Sequence, residues 1–134
     1  MSSPAWTIEL IAVGRILPNE EHEAPRLREV LDSIARSGHW TTPIVLERSS
    51  LAVMDGHHRL AAAQHLALSR VPCLLLDYTQ VRVETRRAGI EVDGEQVVAR
   101  SLARVLYPPK TTRHVFPDGL PGCSIAISAL AAMR

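Results

Sequence analysis

The chain has 134 residues, of which 46 % are hydrophobic and 22 % charged; this composition suits one globular domain over residues 1–134 and excludes a disordered chain. Fifteen basic residues against fourteen acidic ones leave a formal net charge of +1. Proteins that bind DNA through its phosphates usually carry a clear basic excess, so we do not expect a nucleic acid partner.

The N-terminal part of the chain predicts a strand followed by an amphipathic helix. Ile8–Val13 is a short apolar run with β-branched residues, which favours a strand. After a polar, acidic loop, Pro25 suits the first turn of a helix, and Gly38 suits its left-handed C-cap. Between them, apolar residues recur at helical spacing: Leu27, Val30, Leu31, Ile34 and Ala35.

The middle of the chain predicts two further strands, a second helix and another strand. Pro43–Glu47 and Leu51–Met54 have strand character and are joined by a polar turn. A helix rich in Ala and Leu is predicted over His57–Ala67, and the continuous apolar run Val71–Leu76 is typical of a strand covered on both faces. This order of elements predicts an α+β fold with a small mixed sheet and packed helices.

After Tyr78 the pattern is weaker, and Val81 and Val83 allow a further strand. Gly94–Leu106 predicts a helix through the spacing of its apolar residues, with two prolines as a stop; the residues are Val98, Leu102 and Val105. We expect Lys110–His114 to be extended, because threonines disfavour a helix. The apolar tail Ser124–Arg134 suits a strand or a helix equally well.

Targeting and redox signals are absent from the sequence pattern. The apolar residues of Met1–Leu10 are interrupted by polar residues and proline, unlike a signal peptide, and no apolar run is long enough to span a membrane. Cys73 lies within an apolar run and Cys123 in a loop rich in Gly and Pro, which does not indicate a disulfide framework. We therefore expect a cytoplasmic protein with free thiols and no membrane partner.

The segment Asp55-Gly56-His57-His58-Arg59 is the strongest candidate for a binding site. A strand ends there, glycine permits a tight turn, and a helix begins with unpaired N–H groups, which is an arrangement that binds anions. The two imidazoles and the guanidinium add further donors, and arginine can grip a phosphate with two parallel hydrogen bonds. Asp55 suits either the N-cap of the helix or a Mg²⁺ ligand beside phosphates.

Two other interpretations of this segment remain open. Asp-Gly is also a common structural turn, and a histidine is often only structural or solvated. A protein-bound metal is disfavoured, because His57, His58 and His65 do not have the i, i+4 spacing of helical metal ligands and the cysteines form no CxxC pair.

The motif and its surroundings resemble the DGHHR branch of the ParB/sulfiredoxin superfamily, and within it the free L-serine kinases, including those of siderophore biosynthesis. The resemblance extends over about residues 17–114 and rests on three segments: Leu17–Glu21, the DGHHR turn at Asp55–Arg59, and the run Tyr107–His114. It implies transfer of a phosphoryl group from ATP or ADP, with Mg²⁺, to the hydroxyl of free L-serine. The substrates expected are thus a nucleotide and a free amino acid.

The resemblance also assigns roles to residues. Glu20 falls at the position of the family's glutamate, thought to be the catalytic base, and Asn19 stands where the family usually has histidine. Asp55 is a second catalytic candidate, and the nucleotide phosphates are expected at the DGHHR turn: Asp55, Gly56, His57, His58 and Arg59. The amino acid is expected at the third segment, through Lys110, Thr112, Arg113 and His114. Glu21 and Glu23 remain alternative bases, since they lie in the same acidic loop.

Two other functions compete with the kinase. A ParB-like nucleotide-binding regulatory module without kinase activity is the alternative, although its usual turn is of the Gly-Glu-Arg-Arg type and no helix-turn-helix region is evident. A sulfiredoxin-like reductase would need a catalytic cysteine beside the phosphate turn, where this chain has Gly56 and His57.

Overall fold

The computed structural model describes residues 6–131. Within these residues the strands are β1 (Ile8–Ala12), β2 (His39–Trp40), β3 (Ile44–Glu47), β4 (Val53–Asp55), β5 (Arg70–Leu76), β6 (Arg82–Thr85), β7 (Thr112–Val115) and β8 (Ile125–Ala126). The α-helices are α1 (Ala24–Ser37), α2 (His57–His65), α3 (Gly94–Ala103) and α4 (Ile127–Leu130).

The central sheet is mixed, which confirms the predicted fold class. Its four strands lie in the order β1-β5-β3-β4. Strands β3 and β5 are parallel, while β1 pairs with β5 and β4 with β3 in antiparallel fashion. Outside this sheet, β6 pairs with β7 and β2 with β8, both antiparallel. The chain thus returns from β4 through α2 to the middle of the sheet at β5.

Helix α2 is held in place on two sides. Its residues Leu60–Ala63 are all buried, and Leu60 and Ala63 pack with Ile44 and Val53 of the sheet in one core cluster. Helix α1 packs on α2 and has no fully buried residue of its own. The first turn of α2 therefore projects from a buried, well-packed frame.

The predicted boundaries in the first half of the chain are mostly close to those observed. Helix α1 ends at Ser37, and Gly38 adopts the left-handed conformation (φ +70°) expected of a C-cap. Helix α2 stops at His65, two residues before the predicted end at Ala67, because Ala67 itself adopts a left-handed turn conformation with φ +54°. Strand β4 extends to Asp55, which pairs with Val45 of β3.

Helix α3 exists as predicted but buries a different face. It ends at Ala103, three residues before the predicted end at Leu106. Leu102 and Val105, expected in the core, are 61 % and 53 % exposed, whereas Ser101 is fully buried. Ser101 faces inward because its side chain has hydrogen-bond partners there: its hydroxyl donates to the Leu17 carbonyl at 3.3 Å and accepts from the Asn19 side chain at 3.1 Å.

The segment before β7 is only partly extended. Thr112–Val115 forms a strand as expected, but Lys110 has φ +57°, so the prediction that it is extended is wrong. The chain turns there because the Thr111 hydroxyl donates to the Pro108 carbonyl at 2.6 Å. In the tail, β8 is followed at once by α4, so both alternatives occur; residues 1–5 and 132–134 lie outside the described part of the chain.

Both cysteines are free thiols, as expected. Cys73 is fully buried in β5, and burial, followed by the nearby charge of Glu9, raises the pKa of its thiol to about 12. Within residues 6–131, no helix is both long and apolar enough to cross a membrane.

Candidate functional site

A cavity of about 590 Å³ lies among the loop before α1, the start of α2 and β7. All ten residues that the sequence indicated line it: Glu20, Asp55, Gly56, His57, His58, Arg59, Lys110, Thr112, Arg113 and His114. These residues come from three segments that are far apart in sequence. The fold therefore brings the three motif segments together in one concave surface.

The first turn of α2 forms one wall of the cavity. Gly56 is its N-cap with φ +117°, a conformation that strongly favours glycine, and an added Cβ would lie 3.2 Å from the Ile44 side chain. No side chain caps the helix, so the interpretation of Asp55 as the N-cap is wrong; Asp55 closes β4 instead. The uncapped N–H groups leave the start of α2 open to an anion.

Arg59 adds a cationic group to this wall. Its Nη2 donates to Asp55 Oδ2 at 3.2 Å, one turn earlier on the chain. Its Nε is buried and has no hydrogen-bond partner among residues 6–131. A buried donor without a partner carries a desolvation cost, which an anionic ligand in the cavity would relieve.

The two histidines of α2 contact the loop before α1. The backbone N–H of Asn19 donates to His57 Nε2 at 3.1 Å, and that of Glu23 donates to His58 Nε2 at 3.0 Å. Burial is the main cause that lowers the pKa of both rings, with added repulsion from other basic groups; that of His57 falls to about 3. Both imidazoles are therefore neutral at pH 7.

Glu20 connects the loop to the third segment. Its Oε1 accepts three hydrogen bonds, from the Thr111 N–H at 3.2 Å, the Thr112 N–H at 2.9 Å and the Thr112 hydroxyl at 3.0 Å. Its Oε2 makes no hydrogen bond within the described part of the chain. One carboxylate oxygen is thus fixed by β7, while the other is available to a ligand in the cavity.

Asn19, at the position of the family's usual histidine, is a structural anchor of this loop. It is fully buried, and its side-chain amide donates to the Val53 carbonyl at 2.7 Å and to Ser101 at 3.1 Å. These bonds join the loop to β4 and α3. Asn19 therefore fixes the residue next to Glu20 without lining the cavity itself.

The outer wall of the cavity is charged and exposed. Lys110 Nζ lies 3.7 Å from Glu23 Oε1, and Arg113 Nη1 lies 3.9 Å from Glu84 Oε2. Both cationic side chains are about two-thirds exposed, at 64 % and 68 %. Such pairs contribute little to stability and leave the cations free to meet an anionic ligand.

His114 links the outer wall to the protein interior. Its Nε2 lies 2.8 Å from the Tyr78 hydroxyl, and its ring stacks on Phe116 with centroids 6.0 Å apart. Burial lowers the pKa of His114 to about 4, although the nearby Asp55 acts in the opposite direction. Gly94 makes room for Tyr78, since a Cβ there would lie 2.6 Å from the ring.

Some cavity residues were not indicated by the sequence. Arg26, Arg86 and Phe116 also line the cavity. Arg86 lies close in sequence to Arg82 and Arg87, but a short arginine cluster does not by itself indicate a small-molecule site. Arg26 gave no signal, because an arginine in the first turn of an amphipathic helix is usually solvated.

Two curated proteins are similar to this chain in sequence. An "ATP-dependent L-serine kinase" of Desulfurococcus mucosus is 33% identical over 103 residues, which cover 72% of this chain and 40% of that protein. An "ADP-dependent L-serine kinase" of Thermococcus kodakarensis is 30% identical over 96 residues, covering 67% of this chain and 40% of that protein. The chain thus spans about two fifths of the length of these curated relatives.

Structural comparison supports the same fold. A solved structure described as "Free serine kinase in complex with AMP" superposes with a TM-score of 0.79 and 18% identity, covering 93% of each chain. At this identity the likeness establishes the fold alone.

In sequence, residues 5–91 match the ParB N-terminal domain, a range that contains Glu20 and the DGHHR turn. The chain therefore belongs to the ParB N-terminal domain family.

Proposed function

We propose that this protein is a kinase that transfers a phosphoryl group from ATP or ADP to the hydroxyl of free L-serine, giving O-phospho-L-serine. The observation that carries the proposal is the shared cavity, in which an uncapped helix start and a half-anchored carboxylate line the same space. The names of the relatives in Desulfurococcus and Thermococcus support it.

The start of α2 is the site that we assign to the nucleotide phosphates. The free N–H groups after Gly56 and the positive end of the helix dipole attract negative charge. His57 and His58 are neutral and each offers a ring N–H, while Arg59 offers a charged donor. These donors stabilise the charge that develops on the phosphoryl oxygens during transfer.

Mg²⁺ fits this site as a partner of the nucleotide. The Asp55 side chain is 58 % exposed and only its Oδ2 is tied to Arg59, so its other oxygen is available. Residues 6–131 contain no cluster of three metal-ligating side chains, so the phosphates would supply most ligands, as is usual for Mg²⁺. When bound, the ion neutralises charge on the phosphates.

The acceptor amino acid is assigned to the side formed by Glu20 and β7. Lys110, Arg113 and the His114 ring N–H suit the carboxylate of serine. The Thr112 hydroxyl, which donates to Glu20, keeps its oxygen lone pairs for the ammonium group. Glu20 Oε2 is then the free oxygen that faces the hydroxyl of serine.

The reaction follows from this placement. The serine oxygen attacks the terminal phosphorus of the donor, the bond between that phosphorus and its bridging oxygen breaks, and the serine proton passes to Glu20. ATP leaves as ADP, and ADP leaves as AMP. A carboxylate that orients the hydroxyl and accepts its proton assists even a loose transition state.

Since both substrates are metabolites and both thiols are free, we place the protein in the cytoplasm.

The proposal is tested by incubating the protein with Mg²⁺, ATP or ADP, and a panel of free amino acids. Mass spectrometry should detect O-phosphoserine from L-serine, in amounts that exceed those from threonine or homoserine. Reactions without acceptor control for simple hydrolysis. If none of the acceptors is phosphorylated with either donor, the kinase proposal is wrong.

The family match favours one alternative, a ParB-like regulatory module that binds a nucleotide without transferring its phosphate. This alternative predicts nucleotide binding by calorimetry together with no phosphoamino acid. It gives Glu20 no proton to accept, so Glu20→Gln would leave nucleotide binding unchanged and there would be no phosphoserine formation for the substitution to reduce.

A further inference from the structure

The imidazoles of His57 and His58 each use one nitrogen to hold the loop that carries Glu20. The N–H of Asn19, one residue before Glu20, donates to His57 Nε2 at 3.1 Å. The N–H of Glu23, three residues after it, donates to His58 Nε2 at 3.0 Å. The two hydrogen bonds therefore bracket Glu20 on the side of the loop that faces α2.

The direction of these bonds fixes the tautomer of both rings. A backbone N–H can only donate, so both Nε2 atoms must be unprotonated. In a neutral imidazole the proton is then on Nδ1. Each histidine has one nitrogen committed to the loop and one N–H left for another partner.

We propose that His57 and His58 are positioning residues, which hold the backbone of the Glu20 loop while Thr112 holds the Glu20 carboxylate. This inference rests on the proposed kinase function and adds to it a link between the phosphate turn and the base. Each of the two rings offers its Nδ1–H to the nucleotide, and its Nε2 fixes the position of the loop that carries Glu20.

The opposite side of the loop has its own anchors. The Glu21 N–H donates to the Tyr107 carbonyl at 2.8 Å, and the Tyr107 N–H donates to the Asn19 carbonyl at 2.7 Å. These bonds, with the Asn19 side chain, do not involve the histidines. Loss of a histidine contact should therefore shift the loop without unfolding it, and small displacements of a reacting group can cost about 10²-fold in rate.

A pair of substitutions at His58 distinguishes the roles of its two ring nitrogens. A glutamine amide reaches the position of Nε2 and accepts from Glu23, whereas an asparagine amide reaches only the position of Nδ1. We expect His58→Asn to speed hydrogen exchange of the Glu23 amide and to lower kcat at least tenfold. His58→Gln should preserve the amide protection and recover most of that loss in kcat, while raising the KM for the nucleotide.

His65→Asn is the matched control, because His65 lies at the end of the same helix and does not line the cavity. It should leave both readouts unchanged. Equal kcat for His58→Asn and His58→Gln in an active enzyme would overturn the proposal, as would unchanged exchange of the Glu23 amide in His58→Asn.

The tautomers are tested in the wild-type protein without any substrate. Nitrogen-15 NMR of the imidazoles should show protonated Nδ1 and unprotonated Nε2 for both His57 and His58. Protonated Nε2 in either ring would overturn the proposal. Wild-type protein that makes no phosphoserine would instead contradict the proposed function, while the exchange and NMR results would still show whether the histidines hold the loop.

Discussion

The two walls of the cavity are built in opposite ways. The inner wall is formed by His57, His58 and the loop that carries Glu20, which are joined by hydrogen bonds between partly buried groups; Asn19 of this loop is fully buried. On the outer wall, Lys110 and Arg113 form long, exposed ion pairs. The difference indicates that the inner wall supplies geometry and the outer wall supplies charge. Substitutions on the two walls should therefore change different kinetic constants.

The largest effect is expected from Glu20→Gln on the inner wall. Glutamine preserves size and hydrogen bonding but cannot accept a proton at neutral pH, so turnover should fall by about 10²–10⁴-fold. Nucleotide affinity should change little. Glu21→Gln is the control, because Glu21 lies next in the loop and does not line the cavity. An inactive Glu21→Gln beside an active Glu20→Gln would show that the base is misassigned.

Arg59→Ala should weaken nucleotide binding. Hydrogen bonds to charged groups contribute about 1.5–3 kcal/mol, which corresponds to roughly tenfold or more in affinity. Calorimetry with ADP or ATP measures this directly. Arg82→Ala is a suitable control, because Arg82 is exposed and pairs with Glu84 outside the cavity. If Arg59→Ala binds the nucleotide with wild-type affinity, the assignment of the phosphates to the start of α2 is wrong.

Thr112→Val removes a hydroxyl at almost constant volume. Since that hydroxyl donates to Glu20 and faces the cavity, we expect a several-fold rise in the KM for serine together with a lower kcat. Nucleotide affinity should stay as in the wild type. A loss confined to nucleotide affinity would place Thr112 outside the acceptor site.

Lys110→Gln on the outer wall should have a smaller effect that depends on salt. The Lys110 side chain is 64 % exposed, so the attraction of its ammonium group for the serine carboxylate is screened as ionic strength rises. We expect a few-fold increase in the KM for serine at low salt, which shrinks at high salt, and little change in kcat. An equal loss of kcat would contradict the division between the two walls.

The neutral histidines of the inner wall predict a dependence of stability on pH. His57 has an ordinary pKa of 6.5 when unfolded and about 3 when folded, so the unfolded chain binds more protons between these values. The contribution of His57 to the free energy of unfolding is therefore fully present above pH 6.5, and it is lost as the pH falls toward 3. Urea unfolding at several pH values measures this, and His57→Gln should flatten the curve. An unchanged slope would show that His57 does not carry the effect.

Much of the fold and the grouping of the site residues followed from the sequence. Helix α1 and the glycine turn at Gly56 are local patterns with direct physical causes, and the order of strands and helices along the chain indicated the mixed sheet. The face of α3 was not predictable, because it depends on the Ser101 hydroxyl meeting Leu17 and Asn19 across the molecule. Contacts between remote segments leave no periodic signal in the sequence.

The same limit applies to the candidate site. The residues of the three segments could be named, but no pattern in the chain indicated that Thr112 would bind the Glu20 carboxylate or that the histidines would accept from the loop backbone. These contacts join positions more than thirty residues apart. They add to the donor role expected of His57 and His58 a contact that was not expected: each ring also accepts a hydrogen bond from the loop backbone.

Phosphorus-31 NMR of the protein with Mg²⁺, nucleotide and L-serine follows the proposed phosphoryl transfer itself. We expect a phosphomonoester signal of O-phosphoserine that grows with wild-type protein as the donor is consumed, and that is reduced by at least about 10²-fold with Glu20→Gln. Donor loss that yields only inorganic phosphate, or equal phosphoserine formation by both proteins, would contradict it.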